Sequence, residues 1–155
     1  MSMAGNFGVC SKSNYDELTN LIESGKSAET EDLIKKIYNE VENSATELEN
    51  GKCSAEVFIA LFQYIKISYE INVWCNLEVL GKKWRDTTGD FDVIAFYEKE
   101  EILSLQDTID YRELSQFIND FFQIDYENAG QIACNILFSN LEKLGTDKVL
   151  IWHLF

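Results

Sequence analysis

Lys148-Val-Leu-Ile-Trp-His-Leu-Phe155 closes the chain, and its reading decides the fold. Val149, Leu150, Ile151, Trp152, Leu154 and Phe155 are the aliphatic and aromatic residue types that fit a pleated, buried surface. The segment reads as a final strand, which ties the C-terminus to a sheet. Phe91-Asp-Val-Ile-Ala-Phe-Tyr97 is a second strand, nearly all apolar from Val93 onward, as in the centre of a sheet. Residues 2–10 offer a shorter, mixed candidate that Gly5 and Gly8 weaken. Between 65 and 75, Ile65, Ile67, Tyr69, Ile71, Val73 and Cys75 alternate with Lys66, Ser68, Glu70, Asn72 and Trp74. Period two points to a strand with one buried face; one long helix over 54–80 is the competing reading.

The remaining segments carry helical spacing. Ser13 or Asn14 supplies an N-cap for a helix over 15–24, which Gly25 ends. Thr30 caps the next, where Leu33, Ile34, Ile37, Tyr38, Val41, Ala45 and Leu48 form one stripe up to Gly51. Glu31 and Lys35 make an i,i+4 pair on its outer side. Ser54 opens a third helix over 55–64. Asp110 and Glu113 fit a capping box for a helix over 111–123, with Leu114, Phe117, Ile118 and Phe121 as its stripe. Asp125 opens a last helix over 126–144. The expected architecture is a single α+β domain over 1–155, with four to five helices around a small, mostly antiparallel sheet.

Composition narrows the function classes. A hydrophobic fraction of 46% and an aromatic fraction of 13% are globular values. No apolar run approaches the ~20 residues of a membrane helix. The opening lacks a basic region followed by an apolar block, so the expected location is cytoplasmic. Cys10, Cys53, Cys75 and Cys134 are scattered, without a Cys-x-x-Cys spacing, and read as reduced core residues.

Catalytic signals are weak. The one histidine, His153, lies inside the terminal strand, with no nucleophile elbow elsewhere to partner it. Gly5-Asn-Phe-Gly8 falls short of a phosphate loop. Asp90-Phe-Asp92 puts two carboxylates on one strand face, which could hold a divalent ion or simply be solvated. The expectation is therefore a non-enzyme without a cofactor, and an uncharacterised enzyme is the minority reading.

The strongest signal is charge. Residues 86–127 hold twelve acidic residues against Lys99 and Arg112, a net −10 of the chain's −14. Such a field repels nucleic acid and draws a basic protein. Asp86, Asp90, Asp92, Glu98, Glu100 and Glu101 are the candidate electrostatic contacts, with Trp84 as an aromatic anchor. Asp110 and Asp125 are better explained as helix caps. Lys82, Lys83 and Arg85 form the one basic patch, read as a solvated loop.

In this character (small, acidic, α+β, without a catalytic constellation) the chain resembles the immunity proteins of bacterial polymorphic-toxin and contact-dependent inhibition systems. The resemblance implies a stoichiometric inhibitor that occludes the active site of a cognate basic toxin, often a nuclease. An acidic DNA mimic that inhibits a nucleic-acid-binding protein is the alternative. Met1-Ser-Met-Ala-Gly-Asn-Phe-Gly8, with Ser13-Asn-Tyr-Asp-Glu-Leu18 and Leu21-Ile22, also resembles the start of the YfbM-like family of small α+β proteins, over about the first 25 residues.

Overall fold

Strand β3 (Lys148–Leu154) is the centre of the molecule. In the computed structural model, which describes residues 5–50, 54–71, 73, 80, 82–90 and 94–154, it pairs antiparallel with β1 (Gly5–Ser11) on one side and β2 (Ile94–Tyr97) on the other, giving the order β1-β3-β2. Seven α-helices are present among the described residues: α1 (Lys12–Ser24), α2 (Ser27–Ser44), α3 (Ala55–Tyr69), α4 (Lys82–Thr88), α5 (Lys99–Leu103), α6 (Tyr111–Phe122) and α7 (Ala129–Glu142). A single 3₁₀ turn, Ala45–Glu47, follows α2. The class is α+β, with more helices than the periodicity announced. The two extra ones are short: α4 replaces the loop and turn that the sequence predicts there, and α5 is little more than one turn.

The sheet is covered on both faces. Leu150, Trp152 and Leu154 of β3, with Ala95 and Tyr97 of β2 and Phe7 of β1, pack into a core built on α3, α5, α6 and α7. Val149 and Ile151, with Ile94, Phe96 and Cys10, pack into a second core built on α1, α2 and α4. A strand between two cores needs apolar side chains at every position, which is why 149–152 read as a continuous run. Trp152 sits in an aromatic nest with Phe62 (ring centroids 5.2 Å) and Phe58 (6.0 Å).

Strand β1 is an edge, and its outward backbone is closed by side chains. Phe7 N–H donates to Asn50 Oδ1 at 2.6 Å, Val9 N–H to Ser44 Oγ at 2.8 Å and Ser11 N–H to Glu40 Oε2 at 2.9 Å. Gly8 lets α2 come this close, because a Cβ there would stand 2.6 Å from Val41 Cγ1 and 2.9 Å from its Cα. On the far edge, Phe96 N–H donates to Val73 O at 2.9 Å.

Several local expectations are corrected. Helix α3 runs on to Tyr69 and ends where Glu70 takes a left-handed conformation, so 65–69 is helix, not strand. Ile65 continues the inward spacing of Phe58, Leu61 and Phe62, whereas Ile67, which the alternation would bury, is 66% exposed. Residues 70, 71 and 73 are not in a strand, and 72, 74 and 75 of that candidate lie outside the described residues. Ser11, not Ser13 or Asn14, caps α1, accepting from Asn14 N–H. Helix α2 starts at Ser27, because Gly25 (φ 70) turns the chain at once and places Thr30 inside the first turn, its hydroxyl on Lys26 O. Helix α7 starts at Ala129 after Asn128, so Asp125 is not its cap. Strand β2 is an edge strand rather than a central one, although it is buried on both faces. Asp110 does cap α6, accepting from the backbone N–H of Arg112 and Glu113.

Two substitutions of opposite sign test this packing by urea unfolding. Ser44→Ala leaves the outward N–H of Val9 without its acceptor and is expected to cost about 1–3 kcal/mol. The Tyr97 hydroxyl is buried with no hydrogen-bond partner among the described residues, so Tyr97→Phe is expected to be neutral or stabilising by about 1 kcal/mol. A large destabilisation by Tyr97→Phe would contradict that environment.

Candidate partner-binding surface

The residues nominated from the sequence do not share one face. Asp86 lies on α4, in the layer with α1 and α2, 3.7 Å from Arg85 Nε. Asp90 follows α4 and turns inward, with Oδ2 at 3.4 Å from His153 Nδ1. Glu98 precedes α5 and stands 3.9 Å from Lys12 Nζ, and Glu100 and Glu101 are exposed in the first turn of α5. Asp92 lies outside the described residues. Trp84 is 0% exposed, edge-on to Tyr38 (ring centroids 5.8 Å) and His153 (6.0 Å). It is a core residue, which corrects its nomination as a surface anchor. Helix α4 turns residue 84 toward α2 and the sheet, and a Trp there fills the space between them.

The better surface is on α6. Leu114 and Ile118 are its buried residues, so the aromatics that flank them extend outward. Rings run in contact from Tyr69 to Tyr64 (6.2 Å), Tyr64 to Phe117 (5.4 Å), Phe117 to Phe121 (5.8 Å, stacked) and Phe121 to Phe122 (4.8 Å). The row passes through buried Tyr64 and emerges at Phe121, which is 45% exposed. Tyr126 is 46% exposed, and its backbone is held by Asn119, which donates to Tyr126 O at 3.2 Å and accepts from Tyr126 N–H at 3.1 Å. Helix α7 braces α6 from behind, with Gly130 N–H on Ser115 Oγ at 2.9 Å and no room for a Cβ at Gly130.

An open groove of about 560 Å³ runs along this helix, lined by Asp110, Arg112, Glu113, Gln116, Phe117 and Asp120. Asp120 Oδ1 accepts from Gln116 Nε2 at 2.9 Å. None of Asp110, Glu113 and Asp120 has an ion-pair partner among the described residues, in contrast to Asp86 and Glu98. The Tyr64 phenol is pushed up by burial and then by the charges of Glu113 and Asp110, so it remains a neutral hydroxyl beside the groove. Phe121, expected in the inward stripe of this helix, is thus the ring that emerges, whereas Phe122 is partly buried against the core.

His153 marks a different kind of site. It is 1% exposed, between Asp90 and the half-buried Tyr38. Burial lowers its pKa, while the negative charges of Asp90 and Glu42 pull it back up. Burial, with Asp90 and Glu42, raises the Tyr38 phenol to about 12. The thiols of Cys10 and Cys134 are raised to about 12 as well, chiefly by burial, and are not poised as nucleophiles. No group of three His, Cys, Asp or Glu side chains suited to a metal occurs among the described residues, and no helix there is long and apolar enough to cross a membrane.

No known family model, characterised protein or solved structure matches this chain.

The pH response of His153 is predictable in sign. The unfolded chain takes up this proton near pH ~6.5, and the folded chain does so only at lower pH. Stability attributable to His153 is therefore complete above ~6.5 and declines as pH falls from there toward the folded value. Asp90→Asn removes a charge that favours the imidazolium, and should move the midpoint lower still. Because the chain has a single histidine, an NMR titration of its ring reads both effects. A midpoint at or above ~6.5, or one unmoved by Asp90→Asn, would contradict the assignment.

Proposed function

We propose that this chain is a stoichiometric protein inhibitor of the immunity-protein kind, which binds a basic toxin domain, a nuclease by preference, and covers its substrate groove. The observation that carries the reading is the α6 face, where the exposed ring of Phe121 stands beside carboxylates that have no ion-pair partner among the described residues. Aromatic anchors within a charged rim are the composition of a protein-binding hot spot. A net charge of −14 adds long-range steering toward a cationic partner. The acids are divided among α4, the start of α5 and α6, so the reading rests on a local docking surface, not on an extended imitation of a phosphate backbone.

The test is co-production in bacteria with a nuclease-type toxin domain encoded beside it. The chain is expected to restore growth and to co-elute as a 1:1 complex, whose association rate falls as salt rises toward the ~8–10 Å screening range of physiological ionic strength. Growth arrest that persists in the presence of folded chain, with no complex formed, overturns the proposal.

A further inference from the structure

We infer that the groove along α6 is the seat for an arginine side chain of a basic protein partner, held over the Phe117–Phe121 rings and between the carboxylates of Glu113 and Asp120. This rests on the proposed reading that the partner is basic, and adds where it docks and which side chain it offers.

The sheet edges leave little choice of docking mode. The outward N–H groups of β1 at Phe7, Val9 and Ser11 are already taken by Asn50, Ser44 and Glu40. On β2 the outward N–H of Phe96 is taken by Val73. An added strand would find these donors occupied, so a partner meets helical surface. On that surface Phe121 and Tyr126 are two of the four large apolar side chains exposed among the described residues, and both sit on or next to α6.

The chemistry of the groove selects its occupant. Phe117 lines the groove, where three carboxylates outnumber Arg112, and Phe121 stacks on Phe117 at its margin, 26° between ring planes. A planar cation stacks on such a face and at the same time directs N–H groups sideways to carboxylates. Asp120 has one oxygen anchored by Gln116, which fixes the carboxylate and leaves its other oxygen to accept. Arginine satisfies both demands; lysine, a compact and strongly hydrated point charge, satisfies only the second. A second copy of this chain is a poor occupant, because a self-complementary contact would bring Glu113 and Asp120 against their own counterparts.

The test uses the full chain, labelled with 15N and titrated at low salt with acetylated hexa-arginine and with acetylated hexalysine. Amide shifts are expected to centre on residues 110–126, and the arginine peptide to bind about tenfold tighter than the lysine peptide. Phe121→Ser changes an exposed ring, and retention of the fold is checked by circular dichroism. It should bring the two peptides to similar affinity, while Glu113→Gln with Asp120→Asn should weaken both by about tenfold or more. Equal affinity of the unsubstituted chain for the two peptides, or shifts centred on 98–101 or 82–90, overturns the inference. The two proposals fail separately. An arginine-selective α6 footprint in a chain that neutralises no toxin removes the inhibitor and keeps the groove. Full neutralisation by a chain carrying Phe121→Ser, Glu113→Gln and Asp120→Asn removes the groove and keeps the inhibitor.

Discussion

Everything in this fold depends on β3 being buried on both sides. The sheet has three strands, and its middle strand supplies alternate residues to two cores. Leu150, Trp152 and Leu154 serve the core under α3, α5, α6 and α7, and Val149 and Ile151 the core under α1, α2 and α4. Any residue of β3 therefore has to be apolar or find a partner indoors. His153 is the one position where the strand departs from this rule, and it is met there by Asp90 at 3.4 Å. Buried Asn140 follows the same logic: it accepts from Glu49 N–H and donates to Glu49 O, closing the chain after α2 onto α7.

A sheet this narrow has edges close to its centre, and edges recruit other chains. Strand β1 answers with three side chains that imitate a neighbouring strand. Glu40, Ser44 and Asn50 occupy successive outward N–H groups, and Gly8 allows α2 near enough to deliver the first two. The consequence for function is that recognition is displaced from the sheet to the helices. Of these, α6 carries more aromatic surface than its core position can absorb. Leu114 and Ile118 fill the interior, and the row from Tyr64 through Phe117 continues outward to Phe121.

Charge is arranged by the same topology. The acidic stretch is contiguous in sequence but enters the sheet at β2 from one helical layer and leaves into the other. Asp86 and Asp90 therefore belong to the α4 side, whereas Asp110, Glu113 and Asp120 belong to the α6 side. Like charges are thereby kept apart across the sheet, which limits their mutual repulsion.

The sequence by itself determined strands within 91–97 and 148–155, the inward spacing of α2 from Leu33 to Val41, Leu114 and Ile118 as the core contacts of α6, the Asp110 cap and the α+β class, because each follows from local periodicity or a local hydrogen bond. It misassigned 65–69, where Ile65, Ile67 and Tyr69 alternate by coincidence while the inward spacing of Phe58, Leu61 and Ile65 belongs to a helix. Only the tertiary structure decided that β3, last in the chain, is central, since strand order depends on which faces must be covered and not on the strand's own residues. It alone placed Trp84 inside, seated Asp90 on His153 and left Glu113, Phe121 and Asp120 together outside. Burial and charge proximity are set by which elements pack against one another, and neighbours along the chain can be parted by a sheet.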